Sequence, residues 1–250
     1  MEFRFGIGAV RVNVTGQAAL LSDVADRFRR DEGFALATLN LDHLVKLRRD
    51  RGFFEAYVRH ELITADGNPV VWLSRLAGRE VALLPGADLI VPLAREAVQQ
   101  DVALAFIGGT TESLARAAKA LQQLVPGLRV AARIAPTMGF DPNGAEAKAA
   151  LDAVAESGAG LVFLALGAPK QEQLAARGRD LHPGMGFVSI GAGLDFLAGS
   201  QRRAPRLVRR LALEWLWRAG SDPARLAGRY VRCAAILPGH ALRAWRMRHD

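Results

Sequence analysis

Residues 34–47 read FALATLNLDHLVKL. The first six, from Phe34 to Leu39, are apolar or small and have the length of a buried strand. Asn40 and Asp42 are residue types that cap helices, and Leu44, Leu47, Phe54 and Val58 then recur at nearly helical spacing, which predicts a helix over 42–60. A strand that runs straight into a helix is half of a βαβ unit.

The same alternation continues along the chain. Strands are expected at 61–64, 81–84, 102–107, 129–134, 160–166 and 186–190, and helices at 89–100, 112–124, 144–157 and 170–180. Regular alternation of this kind implies an α/β fold: a Rossmann-like, mostly parallel sheet with helices on both faces. After residue 200 the texture changes to Arg, Trp and Leu, with Pro205, Pro223 and Pro238 dividing it into short helical pieces. The expected organisation is an α/β catalytic core over 1–200 and a C-terminal Arg-rich helical appendage over 201–250.

Composition supports a globular chain. Of 250 residues, 50% are hydrophobic, too many for a disordered chain, and one cysteine cannot form a disulfide framework. No run reaches the roughly 18 apolar residues of a spanning helix, and no signal peptide is expected at the N-terminus. The net charge of +8 is unevenly placed: 201–250 hold 12 Arg against Glu214, Asp222 and Asp250, a net of +9, which leaves −1 for the first 200 residues. The basic tail therefore asks for an acidic partner, whether nucleic acid, anionic lipid or a phosphorylated ligand. Trp215, Trp217, Tyr230 and Trp245 interleave with its arginines, as suits a membrane interface.

In parallel sheets, ligands bind at the carboxyl ends of strands. The corresponding loops hold Thr38, Asn40 and Asp42; Asp66 and Gly67; Gly108 and Gly109; the run from Gly167 to Glu172; and Gly191 to Asp195. Asp66 has two readings, a base that takes a proton from a hydroxyl and an ordinary Asp-Gly turn. Asn40 either bonds a ligand or caps the next helix. Gly108-Gly109-Thr110 either offers backbone N–H groups to a phosphate or is a tight turn capped by Thr110. Dinucleotide fingerprints are incomplete: Gly6-Ile7-Gly8 lacks a third glycine, and Phe196 occupies that position after Gly191-Ala192-Gly193. The five histidines and Cys233 lack metal-ligand spacing, and neither a Walker A sequence, a G-x-S-x-G elbow nor an Asp-x-Asp pair is present. No metal and no cofactor are expected.

Taken in order, the loops say more than any one of them. Thr38-x-Asn40-x-Asp42, Ala65-Asp66-Gly67, Phe106-Ile107-Gly108-Gly109, the run LGAPKQE at 166–172, Gly191-Ala192-Gly193-x-Asp195-Phe196, Arg203-Ala204-Pro205 and LEWLxR at 213–218 closely resemble the WecG/TagA/CpsF glycosyltransferase family. The resemblance covers about residues 3–230. It implies transfer of N-acetylmannosamine, its uronic acid or another hexose such as glucose. The donor would be a UDP-sugar and the acceptor a sugar linked to polyprenyl diphosphate, in envelope or extracellular polysaccharide synthesis. It implies Asp66 as general base, Thr38, Asn40 and Gln171 lining the same pocket, and Asp195 at the nucleotide end together with Gly108, Gly109 and Gly167.

The resemblance also assigns the appendage two tasks: docking to an anionic membrane surface at the cytoplasmic face, and bringing Arg218 and Arg225 over the donor diphosphate. Where relatives often read Arg-Leu-Trp-Arg-Arg-Tyr, this chain has Arg225-Leu226-Ala227-Gly228-Arg229-Tyr230, so Arg229 is the candidate replacement for the missing charge at Gly228. Nucleic acid is not an expected partner on this reading, and a pocket rim exposed by loss of the tail would favour self-association into a homo-oligomer. A nucleic-acid-binding module using the basic tail and an NAD-type oxidoreductase are the two rival functions at this point.

Overall fold

The computed structural model describes residues 1–201, Ala204, Pro205, Val208, Trp217 and the helix over 223–249, whose side chains are described from Gly228 onward. Its centre is a six-stranded, wholly parallel sheet. The strands are β3 (Phe34–Leu39), β4 (Leu62–Ala65), β5 (Ala103–Gly108), β6 (Val130–Ile134), β7 (Ala159–Ala165) and β8 (Gly186–Ser189), in the spatial order β4-β3-β8-β7-β5-β6. A small antiparallel hairpin, β1 (Glu2–Phe5) with β2 (Gly8–Arg11), stands apart from it. The α/β expectation is met, Rossmann-like in plan.

Why the sheet needs two covers is written in alternate residues. Leu104, Phe106, Leu161, Phe163 and Val188 belong to one apolar cluster, while their neighbours Ala105, Ile107, Val162, Leu164 and Phe187 belong to another. With both faces apolar, a strand cannot rest against water on either side. The first face is covered by α1 (Gln17–Arg29), α5 (Gly86–Gln99), α6 (Thr111–Leu124) and α9 (Gly193–Leu197), which supply Leu20, Leu93, Leu114 and Leu194. The opposite side carries α7 (Ala145–Glu156) and α8 (Lys170–Leu181). A third cluster, under the β3–β4 edge, joins the hairpin to α2 (Leu41–Leu47), α3 (Arg51–Tyr57), α4 (Asn68–Leu76) and the C-terminal helix α10 (Pro223–His249).

Several sequence expectations are corrected. The helix expected over 42–60 is two: the carboxylate of Asp50 accepts the Phe53 N–H at 2.8 Å and starts α3 afresh. Residues 81–84 are not a strand: they meet the sheet at an isolated bridge between Ala65 and Leu83 and at the Thr64 hydroxyl, which donates to the Leu84 carbonyl at 2.9 Å, and Pro85 then begins the turn into α5. The tail is not divided at Pro238: α10 opens at Pro223 and runs through Pro238 for 27 residues. Gly6 lies in the turn of the β1–β2 hairpin and Gly8 opens β2, neither of them at a strand-to-helix turn, which removes them as a dinucleotide fingerprint.

Candidate active site

Strand β3 turns outward to β4, β7 turns back to β8, and β5 turns away to β6, so the strand ends spread their loops over one rim of the sheet. Parallel register sets the first pair of site residues side by side: Thr38 stands opposite Thr64, and Leu39 opposite Ala65. One residue further on, the Asp66 N–H donates to the Leu39 carbonyl at 2.8 Å. The Asn40 amide then donates to the Asp66 carboxylate at a long 3.4 Å. Asn40 is at the same time the cap of α2, its side-chain oxygen accepting the His43 N–H at 3.0 Å. The capping reading of Asn40 therefore holds, and the other end of its amide is turned to Asp66.

Asp66 stands where the chain turns from β4 into α4. Gly67, at φ 106°, takes the left-handed backbone and the cap position of α4, and that helix has no side-chain cap. The half-buried carboxylate thus stands at a helix N-terminus beside Asn40. Thr38 is buried at the end of β3. Beneath them, burial holds His43 down to about 3 and pushes Tyr57 well up, so both are neutral where they meet at 3.4 Å.

Gln171 lies in the first turn of α8, and both ends of its amide are engaged: the oxygen accepts the Gly191 N–H at 3.1 Å and the nitrogen donates to Glu172 at 2.8 Å. It ties the β7–α8 loop to the β8–α9 loop and is 2% exposed. Glu172, a residue not singled out from the sequence, is fully buried; its other oxygen has no hydrogen-bond partner among the described residues, and burial raises its carboxyl to about 7. Only its place beside Gln171 in a dense motif hinted at it. Gly167, at φ 70°, opens this loop, followed by a cis Ala168–Pro169 bond.

At the other end of the rim, Gly108 passes so close to β7 that a Cβ there would lie 2.3 Å from the Ala165 carbonyl. Gly109 leads into α6, where Thr110 and Ser113 exchange bonds in a capping box, at 3.1 Å and 2.9 Å, using two of the helix's free N–H groups. Asp195 on α9 approaches Gly109: a Cβ on the glycine would stand 4.0 Å from the Asp195 carboxylate. Burial pushes the Asp195 carboxyl up, while Gln201, donating at 2.9 Å, partly offsets this.

Of the three arginines expected over a diphosphate, Arg218 lies outside the described residues, as does the side chain of Arg225. Arg229 projects from α10 toward α2, its Nε 3.3 Å from Asp42. The rim thus brings together Asp66, Asn40 and Thr38 at one end and Gly108, Gly109 and Asp195 at the other, with Gln171 as a strut between loops.

The model of the glycosyl transferase WecG/TagA/CpsF family matches residues 5–250. A Bacillus spizizenii protein named N-acetylglucosaminyldiphosphoundecaprenol N-acetyl-beta-D-mannosaminyltransferase is 30% identical over 167 residues, 66% of this chain and 62% of the relative. The matched stretch spans less than two thirds of that relative's length.

Proposed function

Because the chain belongs to the WecG/TagA/CpsF family of glycosyltransferases, we propose that it transfers a hexose-type sugar from a UDP-sugar to an acceptor sugar carried on polyprenyl diphosphate. N-acetylmannosamine is the favoured sugar, on the strength of the relative's name. The observation that carries the proposal is the carboxylate of Asp66 at the end of β4, oriented by the Asn40 amide and set at the N-terminus of α4. A fixed carboxylate at a strand end is suited to accept the proton of the attacking hydroxyl as the bond to the anomeric carbon forms and the bond to UDP breaks. Thr38 and Asn40 support the sugar beside it, and Gln171 acts from behind by holding the loops that border them.

The nucleotide is assigned to the rim of Gly108, Gly109, Gly167 and Asp195, where the N-terminus of the 14-residue α6 favours negative charge. The leaving diphosphate gains charge in the transition state, and arginines of the tail are the residues of this chain suited to meet it, Arg218 and Arg225 foremost.

The lipid-linked acceptor calls for work at a membrane surface. Among the described residues, no helix is long and apolar enough to cross a membrane. Helix α10 instead exposes Val231, Leu242 and Trp245 beside exposed Arg232, Arg243 and Arg246, a combination that lies in an anionic headgroup layer. Docking at the cytoplasmic face follows from the same reading.

The decisive test is transfer of radiolabelled sugar from UDP-N-acetylmannosamine to a prenyl-diphosphate-linked N-acetylglucosamine acceptor. Asp66→Asn keeps the size of the side chain and removes the base, so kcat is expected to fall by about 10²- to 10⁴-fold, with little change in melting temperature. Undiminished kcat would remove Asp66 from the role of base.

A further inference from the structure

Asp42 stands in the first turn of α2, two residues past Asn40, and is almost wholly buried. An acid in a first turn is ordinary, since it complements the helix dipole. What is unusual is the company it keeps. Lys46 Nζ lies 2.9 Å from one oxygen and Arg229 Nε 3.3 Å from the other. Burial alone would raise the Asp42 carboxyl, yet Arg229 and Lys46 together hold it below the usual range.

Each cation arrives with a separate connection. Lys46 also donates to the Ala168 carbonyl at 3.0 Å, in the loop that leads into α8 and Gln171. Arg229 belongs to α10, seven residues into that helix. One carboxylate therefore joins the loop carrying Asn40, the loop leading to Gln171 and the C-terminal helix. The apolar seat of α10 lies further along: Ile236, Leu237, Ala241 and Ala244 pack into the cluster around Phe54, all on the C-terminal side of Arg229. Between residues 228 and 232 Gly228, Val231 and Arg232 are exposed, Tyr230 is half-buried, and Arg229 reaches the Asp42 carboxylate. The Nε of Arg229 is buried without an aligned hydrogen bond, so the contact is an ion pair, with 34% of the arginine side chain still exposed.

We propose that Asp42 is a positioning residue that seats the entry of the C-terminal helix beside the sugar-binding loops by holding Arg229 and Lys46 on a single carboxylate. Its effect on turnover rests on the proposed transfer reaction; its effect on the helix does not. Asp42 touches no reacting atom in this scheme. It acts through where α10 stands, and so through whatever the preceding residues of the tail bring to the rim.

Two readouts on the full chain test this. Amide hydrogen exchange over residues 228–235 is expected to quicken on the order of tenfold in both Asp42→Asn and Arg229→Gln, with α6 unchanged. The double variant should equal Asp42→Asn, because Arg229→Gln removes no contact that Asp42→Asn leaves in place. In the transfer assay, Asp42→Asn is expected to raise KM several-fold while kcat stays within about threefold, and Asp42→Glu to recover part of the loss. Arg229→Gln carries the same prediction should Asp42→Asn fold poorly. Unchanged exchange over 228–235, additive losses in the double variant, or a fall in kcat alone would each overturn the proposal. If the wild-type protein transfers no sugar, the proposed reaction fails and the exchange measurement decides the tether by itself.

Discussion

At the scale of single residues, the candidate site contains two carboxyls in opposed circumstances. Asp66 is half-buried at a helix N-terminus; Glu172 is fully buried, with one oxygen lacking a hydrogen-bond partner among the described residues. An acid whose folded value is about 7, against 4.5 in the open chain, binds its proton more tightly when folded. Its contribution to stability is full below about pH 4.5 and is lost as pH rises through about 7. Glu172→Gln keeps an oxygen to accept the Gln171 amide and removes the titration. Denaturant unfolding is expected to show the variant gaining on the order of 2 kcal/mol relative to wild type between pH 5 and pH 8. His43 and His60, held by burial at about 3 and about 4, act in the opposite sense, costing stability as pH falls below 6.5, and cancel in the difference. An identical gap at both pH values would rule out a titrating Glu172. Asp66 and Asn40 were legible in the sequence because a strand end fixes its own first residues. The strut from Gln171 to Gly191 was not, since it joins two loops 20 residues apart that only the β7–β8 pairing brings together.

At the scale of elements, what the sequence conveyed depended on which signals were local. The strands β3, β5 and β7 are continuous apolar runs and were readable; β1 and β2 are four residues each, too short to carry a period. Helix α4 was hidden because Pro69 reads as a breaker, although proline is well suited to the first turn it occupies. The break at Asp50 is a second cap inside an unbroken apolar period, which periodicity alone passes over. The capping box of α6 can be weighed directly. Thr110→Ala removes the bond to the Ser113 N–H and is expected to cost about 1 kcal/mol, seen as a melting temperature lower by roughly 2–4 °C in calorimetry. No change would mean that tertiary packing alone holds the start of that helix.

At the scale of the whole molecule, the charge divides into a near-neutral core and a basic tail, and residues 223–249 of that tail form one long helix with a dry side and an exposed side. Ala244 and His240 are buried while Val231, Leu242 and Trp245 are exposed. Replacing those three exposed residues by serine is expected to cut sedimentation with phosphatidylglycerol-containing liposomes at least tenfold, leaving the melting temperature within about 2 °C, because little of their surface is buried in the fold. Binding unaltered by the substitutions, or binding that needs no anionic lipid, would refute the docking face. The buried side of the same helix has a consequence in time. Phe3 in the first strand meets His240 edge-on with ring centres 5.6 Å apart, so nearly the full length of the chain separates two residues that share one contact. A ribosome makes Phe3 long before His240. Until α10 has been synthesised the β1–β2 hairpin and the apolar ground beneath it wait uncovered, and that helix then closes over them.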